Sequence, residues 1–130
     1  MTVTARKIAE VPNTFEGACE LVRKHCKRGE TPEQAVNRLF RERLKHRGLR
    51  GDAPSLTAEN TEVITETKSK QEFAALDIHC RDGAYDSEGQ ILIVRYAGVD
   101  LLIDGHHRCL AWRESGAAGE HVACVMIVRE

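Results

Sequence analysis

A short apolar run that stops against an Asp-Gly pair constrains this chain more than any other feature. Leu101-Leu102-Ile103 reads as a strand, Asp104-Gly105 as its turn, and His106-His107-Arg108-Cys109-Leu110-Ala111-Trp112 as the opening of a helix. A strand–glycine–helix junction brings backbone N–H groups and the positive end of a helix dipole onto one point, an environment suited to a phosphate or carboxylate. Arg108 would add a forked, permanent positive charge at the same place. The alternative is a plain tight turn followed by an exposed arginine paired with Asp104 or Glu114.

The segments around this corner complete an expected α+β fold, a small mixed β-sheet with an N-terminal helical hairpin. Asn13, with Glu16 three residues on, marks a helix start, and Phe15, Ala18, Cys19, Val22 and Cys26 recur at helical spacing. Gly29 closes that helix. Thr31-Pro32-Glu33-Gln34 is a second start, with Thr31 as cap and Gln34 reaching back. Ala35, Val36, Leu39, Phe40 and Leu44 give its apolar face, and Gly48 ends it, so residues 13–48 are expected to pair as two helices. Residues 57–130 are expected to form the α+β core of the same single domain. Thr61 to Glu66 reads as a short edge strand, and Ser69-Lys70-Gln71-Glu72 as a capping box opening a short helix through Phe73, Ala74 and Leu76. Ile91-Leu92-Ile93-Val94 and Val99 to Ile103 flank Ala97-Gly98, a hairpin signature. A helix is expected from His107 to Ser115, stopped by Gly116. Val122 to Val128 is continuously apolar, the pattern of a strand buried on both faces.

Composition narrows the function classes. At 130 residues one modest core is expected. No apolar run approaches the roughly 18–20 residues needed to span a bilayer, and no signal segment follows Met1, so a cytoplasmic location is expected. Five cysteines without a C-x-x-C pair exclude a complete disulfide framework and zinc-finger spacing. Cys19, Cys26 and Cys124 fall on apolar faces as small core residues. The net charge of −1 conceals a split: residues 1–50 carry twelve Lys/Arg against six Asp/Glu, and residues 51–130 carry seven against fourteen. Either the basic half meets an anionic partner, or the two halves pack on each other.

The stretch Ile91 to Val128 resembles the core of the ParB/sulfiredoxin-like superfamily: a hairpin, then Ile103-Asp104-Gly105-His106-His107-Arg108 opening a helix, then Gly116 and a closing strand. The superfamily includes nucleotide-binding partition-protein domains, an ADP-dependent serine kinase, sulfiredoxins, and plasmid proteins with nuclease or ATPase activity. The resemblance implies a nucleotide or phosphate ligand (ATP, ADP or CTP, with or without magnesium) held by Gly105, His106, His107 and Arg108, with Asp104 supporting the turn. Sulfiredoxins place their catalytic cysteine just before the His-Arg pair. Here His106 stands there and Cys109 follows Arg108, so cysteine chemistry is not expected. The segment that completes such sites in the family has only candidates here: Glu62, Glu66, Asp77, Arg81 and Glu88. No helix-turn-helix follows the last strand, so partition-type DNA recognition is not expected in its familiar form.

Whether the chain turns a substrate over is left open by the residues alone. His107 and His106 are the candidate proton carriers, since an unperturbed imidazole titrates close to neutrality. Phosphotransfer, nucleotide hydrolysis and nuclease chemistry would each use such a pair, with a carboxylate from residues 62–88 as partner. His79, Cys80, His106 and His107 with Asp104 make an unconvincing metal set, so none is expected. Tyr96 and Trp112 are candidates for stacking on a base, with core packing as the alternative. Arg38, Arg41 and Lys45 share one side of the second helix and define the other functional reading: a non-catalytic plasmid- or phage-type accessory protein that grips nucleic acid or an acidic protein with its basic residues 38–50. A solvated, dipole-complementing helix end is the bland explanation.

Overall fold

In a computed structural model, described for residues 11–49, 53–69, 71–72, 75–76, 78, 91–106, 109–110 and 120–129, the second helix follows its local signals closely. Thr31 Oγ1 accepts from the Gln34 N–H at 3.2 Å, and Gln34 Oε1 accepts from the Thr31 N–H at 2.9 Å. This capping box, with Pro32 in the first turn, starts helix α2 (Pro32–His46). At its other end the Leu49 N–H reaches back to the Leu44 carbonyl at 2.9 Å, and Gly48 takes φ +70° to allow it. Ala35, Val36, Phe40 and Leu44 are buried, as their spacing requires.

The first helix departs from expectation at both ends. Thr14, not Asn13, is the cap, its Oγ1 accepting from the Gly17 N–H at 3.0 Å. That choice places Phe15 as the first helical residue, on the buried side. Helix α1 (Phe15–Glu20) is short, and a separate 3-10 turn (Arg23–His25) follows it. Val22 still enters the core while Cys26 is only partly buried. Tightening the chain here keeps the apolar stripe inside and carries Lys24 and His25 toward the sheet. Arg38 of α2 fixes the return, donating to Glu30 through Nε and Nη2 at 3.0 Å each and to the His25 carbonyl at 2.9 Å.

Four strands form one mixed sheet in the order β1-β4-β2-β3: β1 (Thr61–Ser69), β2 (Leu92–Tyr96), β3 (Val99–Asp104) and β4 (Glu120–Val128). Strand β1 is an edge strand as expected, but continues three residues beyond Glu66. The β2–β3 hairpin turns at Ala97 and Gly98, which take φ values of +51° and +77°, the left-handed pair of a tight hairpin turn. Strand β4 pairs antiparallel with β1 and parallel with β2, so its unbroken apolar run is explained by its central place.

Period-two alternation gives the sheet two apolar faces. On the first, Leu92, Val94, Leu101, Ile103, Val122, Cys124 and Met126 pack against Phe15, Ala18, Val22, Val36, Phe40 and Leu44 of the helical hairpin. On the second, Ile91, Ile93, Leu102, Ala123 and Val125 pack with Leu76 and Cys109. Tyr96, read also as a base-stacking residue, meets Phe40 edge to face, with ring centroids 5.7 Å apart and planes at 89°. It packs α2 onto the hairpin. Trp112, and the expected helix beyond Leu110, lie outside the described residues. Among the described residues no helix is long and apolar enough to cross a membrane.

Candidate functional site

The corner after β3 is built by an irregularity in that strand. Leu92 pairs with Asp104 and Ile93 with Leu102, so Ile103 is an extra residue in β3. Regular alternation would put Asp104 on the side of Leu102, away from the helices. The bulge instead turns it to the side of Leu92, which faces the helical hairpin. The strand then ends at Gly105, whose φ of +99° is a backbone conformation that L side chains rarely adopt. His106 begins a helical turn closed by the Cys109 N–H on the Gly105 carbonyl at 2.9 Å. Gly105→Ala is therefore expected to cost about 1–3 kcal/mol of stability in urea unfolding; an unchanged midpoint would show that the turn does not demand glycine.

Two residues that the motif did not include meet Asp104 there. His25 Nε2 lies 2.9 Å from Asp104 Oδ1, and Lys24 Nζ lies 3.4 Å from Oδ2. The lysine contact is electrostatic only: Oδ2 is buried and accepts no hydrogen bond among the described residues. The Asp104 side chain is 8% exposed, whereas those of Lys24 and His25 are 52% and 45% exposed. A buried carboxylate thus holds two cation-forming side chains at the surface, next to the turn. Asp104 thus ties the end of β3 to the 3-10 turn, while Arg108 and Glu114, its expected partners, lie outside the described residues.

Of the other expected ligands, Gly105 and His106 lie at the turn, both partly buried, and His107 and Arg108 lie outside the described residues. Among the described residues the Asp104 carboxylate at this corner is met by Lys24 and His25. No three His, Cys, Asp or Glu side chains among the described residues converge to hold a metal ion. Cys109 is wholly buried on the second face of the sheet, which removes it from thiol chemistry at the surface.

The expected carboxylate partner from residues 62–88 is not at this corner among the described residues. Glu66 lies on the opposite face of the sheet, in a charge network of its own. Arg95 of β2 donates to Glu66 at 3.0 and 2.8 Å and to Asp100 at 2.7 and 3.1 Å. Lys68 Nζ, its side chain 6% exposed, adds contacts to Glu66 at 2.9 Å and Asp100 at 3.1 Å. Since β1 and β3 are the two edges of the sheet, the Lys68–Asp100 contact requires the sheet to curl over this face. The Arg95 hydrogen bonds bring the Glu66 carboxyl down to about 2, against the opposing effect of burial. Burial pushes Lys68 down, but its hydrogen bonds to Glu66 and Asp100 carry it above its ordinary value; burial pushes Asp100 up, but the hydrogen bonds from Arg95 and Lys68 hold it below. Asp77, Arg81 and Glu88 lie outside the described residues.

On α2, Arg38 and Arg41 line an open cleft of about 750 Å³ with Gln34, Asn37, Glu42 and Ser55. Arg41 donates to Ser55 Oγ at 3.2 Å, while Arg38 is engaged by Glu30 and the His25 carbonyl. Lys45 is exposed. Arg38, chosen from the sequence as a surface cation, is thus committed to holding the segment that carries Lys24 and His25.

No sequence signal could have assigned Lys24 and His25 to Asp104, since the partners are 79 residues apart for His25 and meet only through tertiary packing. Comparisons with protein-family models, with curated proteins and with solved structures gave no match to this chain.

Proposed function

We propose that this protein is a ParB/sulfiredoxin-like nucleotide- or phosphate-binding protein whose ligand sits at the Asp104-Gly105-His106-His107-Arg108 corner. One observation carries the proposal: the bulged end of β3 and the left-handed Gly105 direct the chain into a helical turn beside Lys24 and His25, which are anchored on buried Asp104. Backbone N–H groups and cationic side chains on one spot are what an anion requires. The order hairpin, Gly turn, helical turn, then a strand parallel to β2 supports the likeness to that superfamily. Phosphotransfer, nucleotide hydrolysis or phosphodiester cleavage are the chemistries such a site would serve, because it orients phosphate and neutralises its charge.

Thermal unfolding in the presence of ATP, ADP, CTP, GTP and inorganic phosphate, with and without magnesium, tests this. A ligand at 100 times its Kd is expected to add about 2.7 kcal/mol of apparent stability. Arg108→Ala should remove that gain with the fold of the free protein retained by circular dichroism. No shift with any compound would instead favour the second reading, an accessory protein that uses Arg41 and Lys45, which the cleft beside Ser55 supports.

A further inference from the structure

We infer that His25 is a proton-transferring residue of this corner, with Asp104 as its positioning carboxylate and Lys24 as the adjoining cation. The inference rests on the phosphate reading above and adds to it the residue that would act on a phosphate ester. With Asp104 ionised, His25 Nε2 carries the hydrogen and donates it to Oδ1 at 2.9 Å, which leaves the lone pair on Nδ1. Among the described residues the ring makes no second hydrogen bond. The pair is rooted in the core at its carboxylate and open to solvent at its ring. A carboxylate in that position fixes the tautomer and compensates the imidazolium that forms when Nδ1 takes a proton.

Three further features fit a built device rather than a chance surface contact. The bulge in β3 is what turns Asp104 toward His25. Oδ2 accepts no hydrogen bond, so the imidazole is the sole hydrogen-bond donor to the carboxylate among the described residues. The His25 backbone is itself held, its carbonyl accepting from Arg38 Nη2 at 2.9 Å. Among the described residues the charged groups around the ring are Asp104 on β3, Lys24 on its own turn, and Arg38 on α2, the last already paired with Glu30.

In phosphodiester hydrolysis Nδ1 takes a proton from water as the water oxygen bonds to phosphorus. The bond from phosphorus to the leaving alcohol oxygen breaks with its electron pair, and the imidazolium returns the proton to that oxygen. One water is consumed and His25 is restored.

The test measures hydrolysis of bis(p-nitrophenyl) phosphate and of ATP by the full chain between about pH 5 and 9, together with the ATP-induced thermal shift. His25→Gln is expected to lower kcat by about 100-fold or more, the usual contribution of a general acid–base group, while KM and the ATP shift stay within about threefold. The fall in rate toward acid pH should disappear with it, and added imidazole should restore activity to His25→Ala. Asp104→Asn should reproduce the kcat loss with the fold retained by circular dichroism. Wild-type rates in His25→Gln, or ATP binding by the unaltered protein without turnover of either compound, would overturn the assignment and leave the binding site standing. A protein that shows neither a thermal shift nor turnover would instead remove the phosphate reading on which the assignment rests.

Discussion

Lys68→Met is expected to destabilise the protein by about 3 kcal/mol in urea unfolding, near the low end of the 3–5 kcal/mol typical when one member of a buried ion pair is removed. The low end applies because Arg95 would still serve both Glu66 and Asp100. Methionine keeps most of the apolar stem, so the loss reports charge rather than packing. The pH dependence follows from the direction of the carboxyl shifts. Glu66 titrates near 2 in the folded chain against an ordinary 4.5, and Asp100 is also lowered. Their contribution is therefore complete above the ordinary carboxylate range and is lost as pH falls toward about 2. Lys68→Met should flatten the loss of stability across that interval. An unchanged acid limb and an unchanged urea midpoint would mean that the network contributes nothing net.

Phe40→Ala carries the second large effect, about 3–5 kcal/mol, the usual cost of truncating a buried aromatic residue. Phe40 is 1% exposed and joins α2 to β2 through its edge-to-face contact with Tyr96. Weakening that contact lifts α2 from the sheet, and with α2 the Arg38 hydrogen bond that holds the His25 carbonyl. Any nucleotide-induced stabilisation should accordingly fall in Phe40→Leu, which preserves folding better than alanine. A Phe40→Leu protein with wild-type ligand response would show that the corner is held independently of α2.

What could be read from the residues was mostly what neighbouring residues decide among themselves. The Thr31–Gln34 box, the Ala97-Gly98 turn, and the Ser69–Glu72 reciprocal bonds at 3.0 and 3.3 Å depend on positions three or fewer apart. The apolar run of β4 was legible because a strand flanked on both sides must be apolar on both faces. The cap at Thr14 was misplaced by one residue because Asn13 and Thr14 are both good caps, and the depth of Phe15 decided between them. The 3-10 turn after α1, which carries Lys24 and His25 to Asp104, left no local signal in the sequence. The Glu66–Lys68–Arg95–Asp100 network was out of reach for the same reason, since sheet curvature brings it together. At the corner, Asp104 and Gly105 were identifiable from the motif, while the partners that define the chemistry of Asp104 were not.

The central position of β4 has a consequence for how the molecule is made. Of the four strands it is last in chain order, yet β1 and the β2–β3 hairpin touch each other's backbones only through it. During synthesis both must wait with one unsatisfied margin each, because nothing earlier in the chain can fill the gap. Assembly then depends on a contact spanning 112 residues, from Cys124 to Pro12, and on a parallel pairing, both features of slow-forming topologies. A nascent chain halted before residue 120 would therefore hold β1 and the β2–β3 hairpin apart, each with the border that β4 covers left open.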